Sequence, residues 1–307
     1  MRTRTIGSLD VSVVGLGCNN FGARLGEDRT REVVDAAIDA GITLFDTADI
    51  YGGTRSEEFL GRILEGRRDR VVLATKFGMT RAPHVAGGAS ATYVRASVEG
   101  SLARLRTDRI DLYQLHEPRP ETPIAETLGA LDELVREGKV REIGCSNFSA
   151  EQLRSATAAA IGARFVCVQN ELSLLDRADV DEGLAEATRQ GIAYLPYYPL
   201  ASGLLTGKYR RGEAPPAGSR LLTSFDDEER AEAMAPEVFD RIEALTAFAE
   251  ERGHTLLELA FAWLLAHPPV ASVIAGATSA EQVRSNAAAG EWALPAGDML
   301  ALEHLFG

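Results

Sequence analysis

The chain has 307 residues, 45% hydrophobic and 25% charged, with a formal net charge of −13. So acidic a chain disfavours nucleic acid and anionic membrane surfaces as partners, since both are held through basic patches. Three cysteines without a C-x-x-C pair or zinc spacing predict free thiols in a reducing compartment. With no apolar signal core at the start and no membrane-length apolar run, a cytoplasmic protein is expected.

In chain order, residues 3–9 are expected to fold back on the first strand as a small hairpin. Short runs rich in β-branched residues then recur at 11–18, 42–46, 71–76, 110–116, 142–146, 165–170, 192–198 and 271–275. Their continuous apolar character fits strands buried on both faces of a parallel sheet. Amphipathic stretches separate them. Val33, Val34, Ala37 and Ile38 share one helical face, closed by Gly41. Pro123 opens another helix, with Leu128, Leu131, Leu134 and Val135 as its stripe and Gly138 at its end. Ser149-x-x-Gln152 and Ser279-x-x-Gln282 match capping boxes. A strand–helix unit of about 30 residues, repeated, predicts an α/β fold: a single (β/α)8 TIM barrel domain over residues 1–307, with an N-terminal hairpin. Two long βα loops are expected, at 78–92 and 210–236, the second leading into helices at 236–252 and 256–266. Long loops in compact domains are commonly functional.

In such a barrel the chemistry sits where strands end. The second strand ends in Phe45-Asp46-Thr47-Ala48-Asp49-Ile50-Tyr51-Gly52, the third in Ala74-Thr75-Lys76-Phe77-Gly78. The fourth ends in Gln114-Leu115-His116-Glu117-Pro118 and the fifth in Gly144-Cys145-Ser146-Asn147-Phe148. Asp46, Tyr51, Lys76 and His116 are thereby expected around one mouth. A buried ammonium beside a phenol should lower the tyrosine pKa from about 10 and make Tyr51 a proton donor. Asp46 would keep Lys76 charged, and His116 would orient a carbonyl oxygen. His84, His254, His267 and His304 have no Cys or carboxylate partners at ligand spacing, so no metal is expected. Cys145 and Cys167 are expected in the core, with Cys18 near the mouth. Asn19, Asn20, Phe21 and Phe77 are expected to line the substrate pocket.

These strand-end motifs, with Tyr197-Tyr198-Pro199-Leu200, resemble in order those of the aldo-keto reductases over nearly the whole chain. The segment 197–209, ending in Leu-Thr-Gly-Lys-Tyr, is most similar to the microbial and potassium-channel β-subunit branch. The resemblance implies that Asp46, Tyr51, Lys76 and His116 are the catalytic tetrad of a reductase of aldehydes or ketones, or of the reverse oxidation of an alcohol or sugar. It implies NADP(H) laid across the barrel mouth, consistent with the absence of a G-x-G-x-x-G turn. Ser146, Asn147 and Gln169 match the positions that hold the nicotinamide amide, and Tyr197 the ring that stacks on it. Leu200, Ala201, Ser202 and Lys208 match the pyrophosphate-covering loop, with Arg220 expected to join them and Pro199 placed at the cofactor; Gly276, Thr278, Gln282 and Asn286 match the adenosine end. Gly17, Cys18, Asn19 and Asp46 are placed beside the cofactor. Gly276 and Gln282 stand where many relatives have a Lys and an Arg around the 2′-phosphate, which leaves NADH use open. Two other readings stay open: a cofactor-binding sensor or partner subunit with little turnover, and a Schiff-base aldolase using Lys76.

Overall fold

Side-chain alternation along short strands decides which residues face the barrel interior. The computed structural model describes residues 1–79 and 88–306. It opens with a hairpin of β1 (Thr3–Ile6) and β2 (Leu9–Ser12), antiparallel, with Thr3 opposite Ser12. The barrel follows: β3 (Val14–Gly17), β4 (Leu44–Asp46), β5 (Val72–Phe77), β6 (Ile110–Leu115), β7 (Val140–Ser146), β8 (Cys167–Glu171), β9 (Ala193–Tyr197) and β10 (Val273–Gly276). All pair in parallel, each with the next, and β10 returns to β3. Between β9 and the residues leading into β10, Tyr194 donates its amide to the Pro269 carbonyl at 2.7 Å and accepts from the Ala271 amide at 3.0 Å. The expected barrel is thus formed and nearly closed. The run expected as one strand over 11–18 is two: Ser12 Oγ donates to Val14 O at 2.6 Å, and the Ser12 amide donates to Thr43 Oγ1 at 2.8 Å, which turns the chain from hairpin into barrel.

Two apolar cores result. The inner one joins Ile6, Leu9 and Val11 of the hairpin to Leu44, Ala74, Leu112, Cys167 and Leu195, so the hairpin is the barrel's floor. Arg4 ties it down, donating to the Leu265 carbonyl at 2.7 Å and to that of Val270. The outer core lies between the strands and helices α1 (Glu27–Asp39), α2 (Arg55–Ile63), α3 (Ala91–Leu105), α4 (Ile124–Arg136), α5 (Ala150–Ala159) and α6 (Ala185–Gln190). The 210–236 interval holds two short helices where a loop was expected, α7 (Arg220–Thr223) and α8 (Asp227–Ala233). Helices α9 (Pro236–Glu250), α10 (Leu256–Ala266), α11 (Ala280–Ala289) and α12 (Ala296–Phe306) complete the chain. The Ser149–Gln152 capping box is complete. At α11 only half of one forms: Ser279 accepts from the Gln282 amide at 3.3 Å, while the Gln282 side chain takes the Thr278 amide at 2.8 Å. Most of the expected 78–92 loop, with His84, lies outside the described residues. Among those described, no helix is long and apolar enough to cross a membrane, and no cluster of three or more His, Cys, Asp or Glu is placed to hold a metal.

Candidate active site

Up the inward face of the strands, an apolar side chain is followed by a polar one: Leu44 by Asp46, Ala74 by Lys76, Leu112 by Gln114, Cys167 by Gln169. Register sets Asp46 opposite Ala74 and Lys76 opposite Gln114, so these polar groups meet above the inner core. The fully buried Lys76 ammonium donates to Asp46 Oδ2 at 2.6 Å, the Thr47 carbonyl at 3.0 Å and Tyr51 Oη at 3.4 Å. Asp46 Oδ1 accepts from Gln169 Nε2 at 3.1 Å and Gln114 Nε2 at 3.3 Å. A buried ion pair stands only when its remaining donors and acceptors are satisfied in this way. Burial is the largest influence on Lys76 and opposes its charge, but Asp46 and Tyr51 outweigh it and hold its pKa above the ordinary value. Gly144 leaves room for the layer, since a Cβ there would lie 2.5 Å from Cys167 Sγ and 3.2 Å from Gln114 Cγ.

Tyr51 leaves β4 on a tight loop, its amide donating to Ala48 O at 3.1 Å. Gly52 then passes so close to the β3–α1 loop that a Cβ would meet the Phe21 carbonyl at 2.5 Å, and its φ of +60° suits glycine. The expected drop in the Tyr51 pKa is not what the site produces. Burial, the largest influence, pushes the phenol above its ordinary value; Lys76 pulls it down, and Asp46 pushes it back up. The hydroxyl is therefore held protonated. His116 stands edge-on to the Tyr51 ring, centroids 5.9 Å apart at 77°.

A cavity of about 1090 Å³ opens above these groups, and every residue expected at a cofactor lines it except Ala201. Asn147 accepts from Tyr197 Oη at 2.8 Å and donates to the His116 carbonyl at 2.8 Å. That bond fixes the Tyr197 ring, whereas Tyr198 is partly exposed under Arg220, which donates to its hydroxyl at 3.1 Å. Tyr198, Ala201 and Ser202 all have positive φ, at 50°, 44° and 56°, so Ala201 shapes this loop without facing the cavity. Arg24 reaches over to donate to the Gly218 carbonyl at 2.7 Å. Burial and Arg24 together hold the Lys208 ammonium below its ordinary pKa, which marks two cations close together.

Phe21 and Phe77, expected at the substrate pocket, are core residues instead. Phe77 follows the inward Lys76 and so faces outward, stacked on Tyr113 at 4.6 Å. Arg24, Ile50, Met79 and Glu117 line the cavity in their place, and sequence reasoning missed them. Ile50 and Glu117 each adjoin an expected site residue, which was the available signal. Gln114, whose inward parity with Lys76 was readable, was given no role. Cys145 and Cys167 are buried free thiols, as expected.

A polar layer at the C-terminal mouth of an eight-stranded barrel, beneath a long cavity, places the molecule among the barrel enzymes whose sites lie at strand ends. Comparison narrows that class. The model of the Aldo/keto reductase family matches residues 13–305, and the chain belongs to this family of oxidoreductases. It is 33% identical to a probable voltage-gated potassium channel subunit beta of Arabidopsis thaliana, over 91% of this chain and 87% of that protein. Among solved structures it is similar to the aldo-keto reductase AKR11C1 from Bacillus halodurans in its holo form, at 31% identity and a TM-score of 0.82, covering 99% of this chain and 96% of that one. The glycerol dehydrogenase AKR11B4 from Gluconobacter oxydans aligns at 31% identity and a TM-score of 0.85, over 99% and 94%.

Proposed function

We propose that the protein is an NADPH-dependent reductase of aldehydes or ketones, one cytoplasmic barrel domain able to run the reverse oxidation on an alcohol or sugar. The observation that carries this reading is the Tyr51 hydroxyl 3.4 Å from the Lys76 ammonium, which is fixed by an Asp46 carboxylate that two glutamine amides hold in turn. A carbonyl oxygen gaining negative charge beside that hydroxyl takes its proton, and Lys76 stabilises the phenolate left behind. His116 adds a hydrogen-bond donor that orients the oxygen. The lining of the cavity fits a nicotinamide dinucleotide. Asn147, Ser146 and Gln169 supply amide and hydroxyl groups, while Arg24, Lys208 and Arg220 supply charge for phosphates within an acidic protein. When bound, the cofactor supplies the hydride.

The test is the loss of reduced-nicotinamide absorbance against a reactive aromatic aldehyde, with NADPH and then NADH. Consumption supports the reductase, and the NADPH/NADH ratio decides the preference that Gly276 and Gln282 leave open. Tyr51→Phe is expected to bind cofactor normally and to lose turnover by roughly 100-fold or more; unchanged turnover would remove Tyr51 from the mechanism. Tight cofactor binding without turnover on any carbonyl would favour the partner-subunit reading that the name of the plant relative suggests. A borohydride-trapped adduct on Lys76 would favour the aldolase.

A further inference from the structure

One partly buried carboxyl close to the site takes no part in this chemistry. Asp49 lies within the 46–51 loop, its amide donating to the Lys76 carbonyl at 3.1 Å just before the Tyr51 amide reaches Ala48. Its Oδ1 is buried and has no hydrogen-bond partner among the described residues. The titratable groups acting on it come from several packed elements: Glu57 on α2, Arg104 and Tyr93 on α3, Lys76 on β5 and Tyr113 on β6. Glu57 is fully buried and already satisfied, with Oε1 taking the Thr75 hydroxyl and Oε2 the Arg104 guanidinium, both at 2.6 Å. Arg104 is thus committed to Glu57. The Tyr113 hydroxyl is a second buried polar atom left without a partner.

A charge on Asp49 would therefore be partly withdrawn from water beside a like charge, with Oδ1 lacking a donor. Burial first and Glu57 second push its pKa up to about 7, against weaker opposing pulls from Arg104, the Ile50 amide and Lys76. We propose that Asp49 is a positioning residue whose protonated carboxyl lets the 46–51 loop pack against the Glu57–Arg104 pair and hold Tyr51 on Lys76, and whose ionisation loosens that loop. The consequence for turnover rests on Tyr51 being the proton donor proposed above. The structural part does not.

Two readouts separate these parts, each taken from about pH 5.5 to about pH 8.5 on the wild type and on Asp49→Asn, an isostere of the neutral acid. The first is hydrogen exchange of a peptide covering residues 46–53, corrected for the intrinsic effect of pH. In the wild type the peptide should lose protection as pH rises through 7, and in Asp49→Asn it should not. The second is kcat with one carbonyl substrate. The ratio of Asp49→Asn to wild type should rise roughly tenfold over the range, the scale of a sub-ångström misplacement of a reacting group. Protection that does not change across pH 7 in the wild type overturns the proposal, whether or not the variant folds. Loosening with a flat kcat ratio overturns the positioning role. If no carbonyl is turned over at any pH, the reductase reading falls, and exchange alone decides whether Asp49 holds the loop.

Discussion

All three hydrogens of the Lys76 ammonium are engaged, and both oxygens of Asp46 are met. The two are therefore coupled. Asp46→Asn would leave a buried ammonium facing a neutral amide, at a cost of about 3–5 kcal/mol. Urea unfolding should show that loss, and Asp46→Asn with Lys76→Met should recover much of it, because the uncompensated charge is then gone. If the double variant is no more stable than the single one, the pair is held by packing and not by charge. The four residues expected at one mouth are brought there because each ends a strand or its following loop, and strand ends can be read from apolar runs. Gln114 and Gln169 complete the layer for a subtler reason. Their amides matter only because register sets them beside Asp46, and register is a tertiary fact.

At the scale of elements, the hairpin is as much a part of the barrel as the strands. Ile6, Leu9 and Val11 are the floor on which the inner core rests. Ile6→Ala should cost about 2–5 kcal/mol, like other large-to-small changes in a core, and a midpoint shift in denaturant would measure it. A loss under about 1 kcal/mol would mean that the hairpin only covers the barrel and does not seal it. The strands were legible in sequence as short, continuous apolar runs, and helices α1 and α4 as apolar stripes of helical period. Helix α8 was not. None of its residues is buried, and it is held by the Asp226–Glu229 capping box, so no apolar stripe marks it. Within the four-residue α7, only Leu221 is buried. The break at Val13 between β2 and β3 was hidden in a largely apolar run interrupted at Ser12, and the Ser12–Thr43 exchange that makes it joins residues far apart in the chain.

On the scale of the whole barrel, the joints between strands are unequal. β6 pairs with β5 at four positions and with β7 at five, whereas β9 meets the chain entering β10 through the two backbone bonds of Tyr194. At about 1 kcal/mol net for each bond, this seam is the cheapest place to open the wall. The loops that rise from it are those that line the cavity, Tyr197 to Gly203 on one side and Gly276 to Gln282 on the other. A ligand gripped by both loops must tie the seam together, because opening would pull its contacts apart. Hydrogen exchange should therefore show the Tyr194 and Ala271 amides less protected than those of Tyr113 and Leu115. Saturating NADPH should raise protection at the first pair and leave the second unchanged. Uniform protection round the barrel, or a rise spread evenly over all strands, would mean that the wall moves as one piece and that the mouth admits its ligand through loop motion alone.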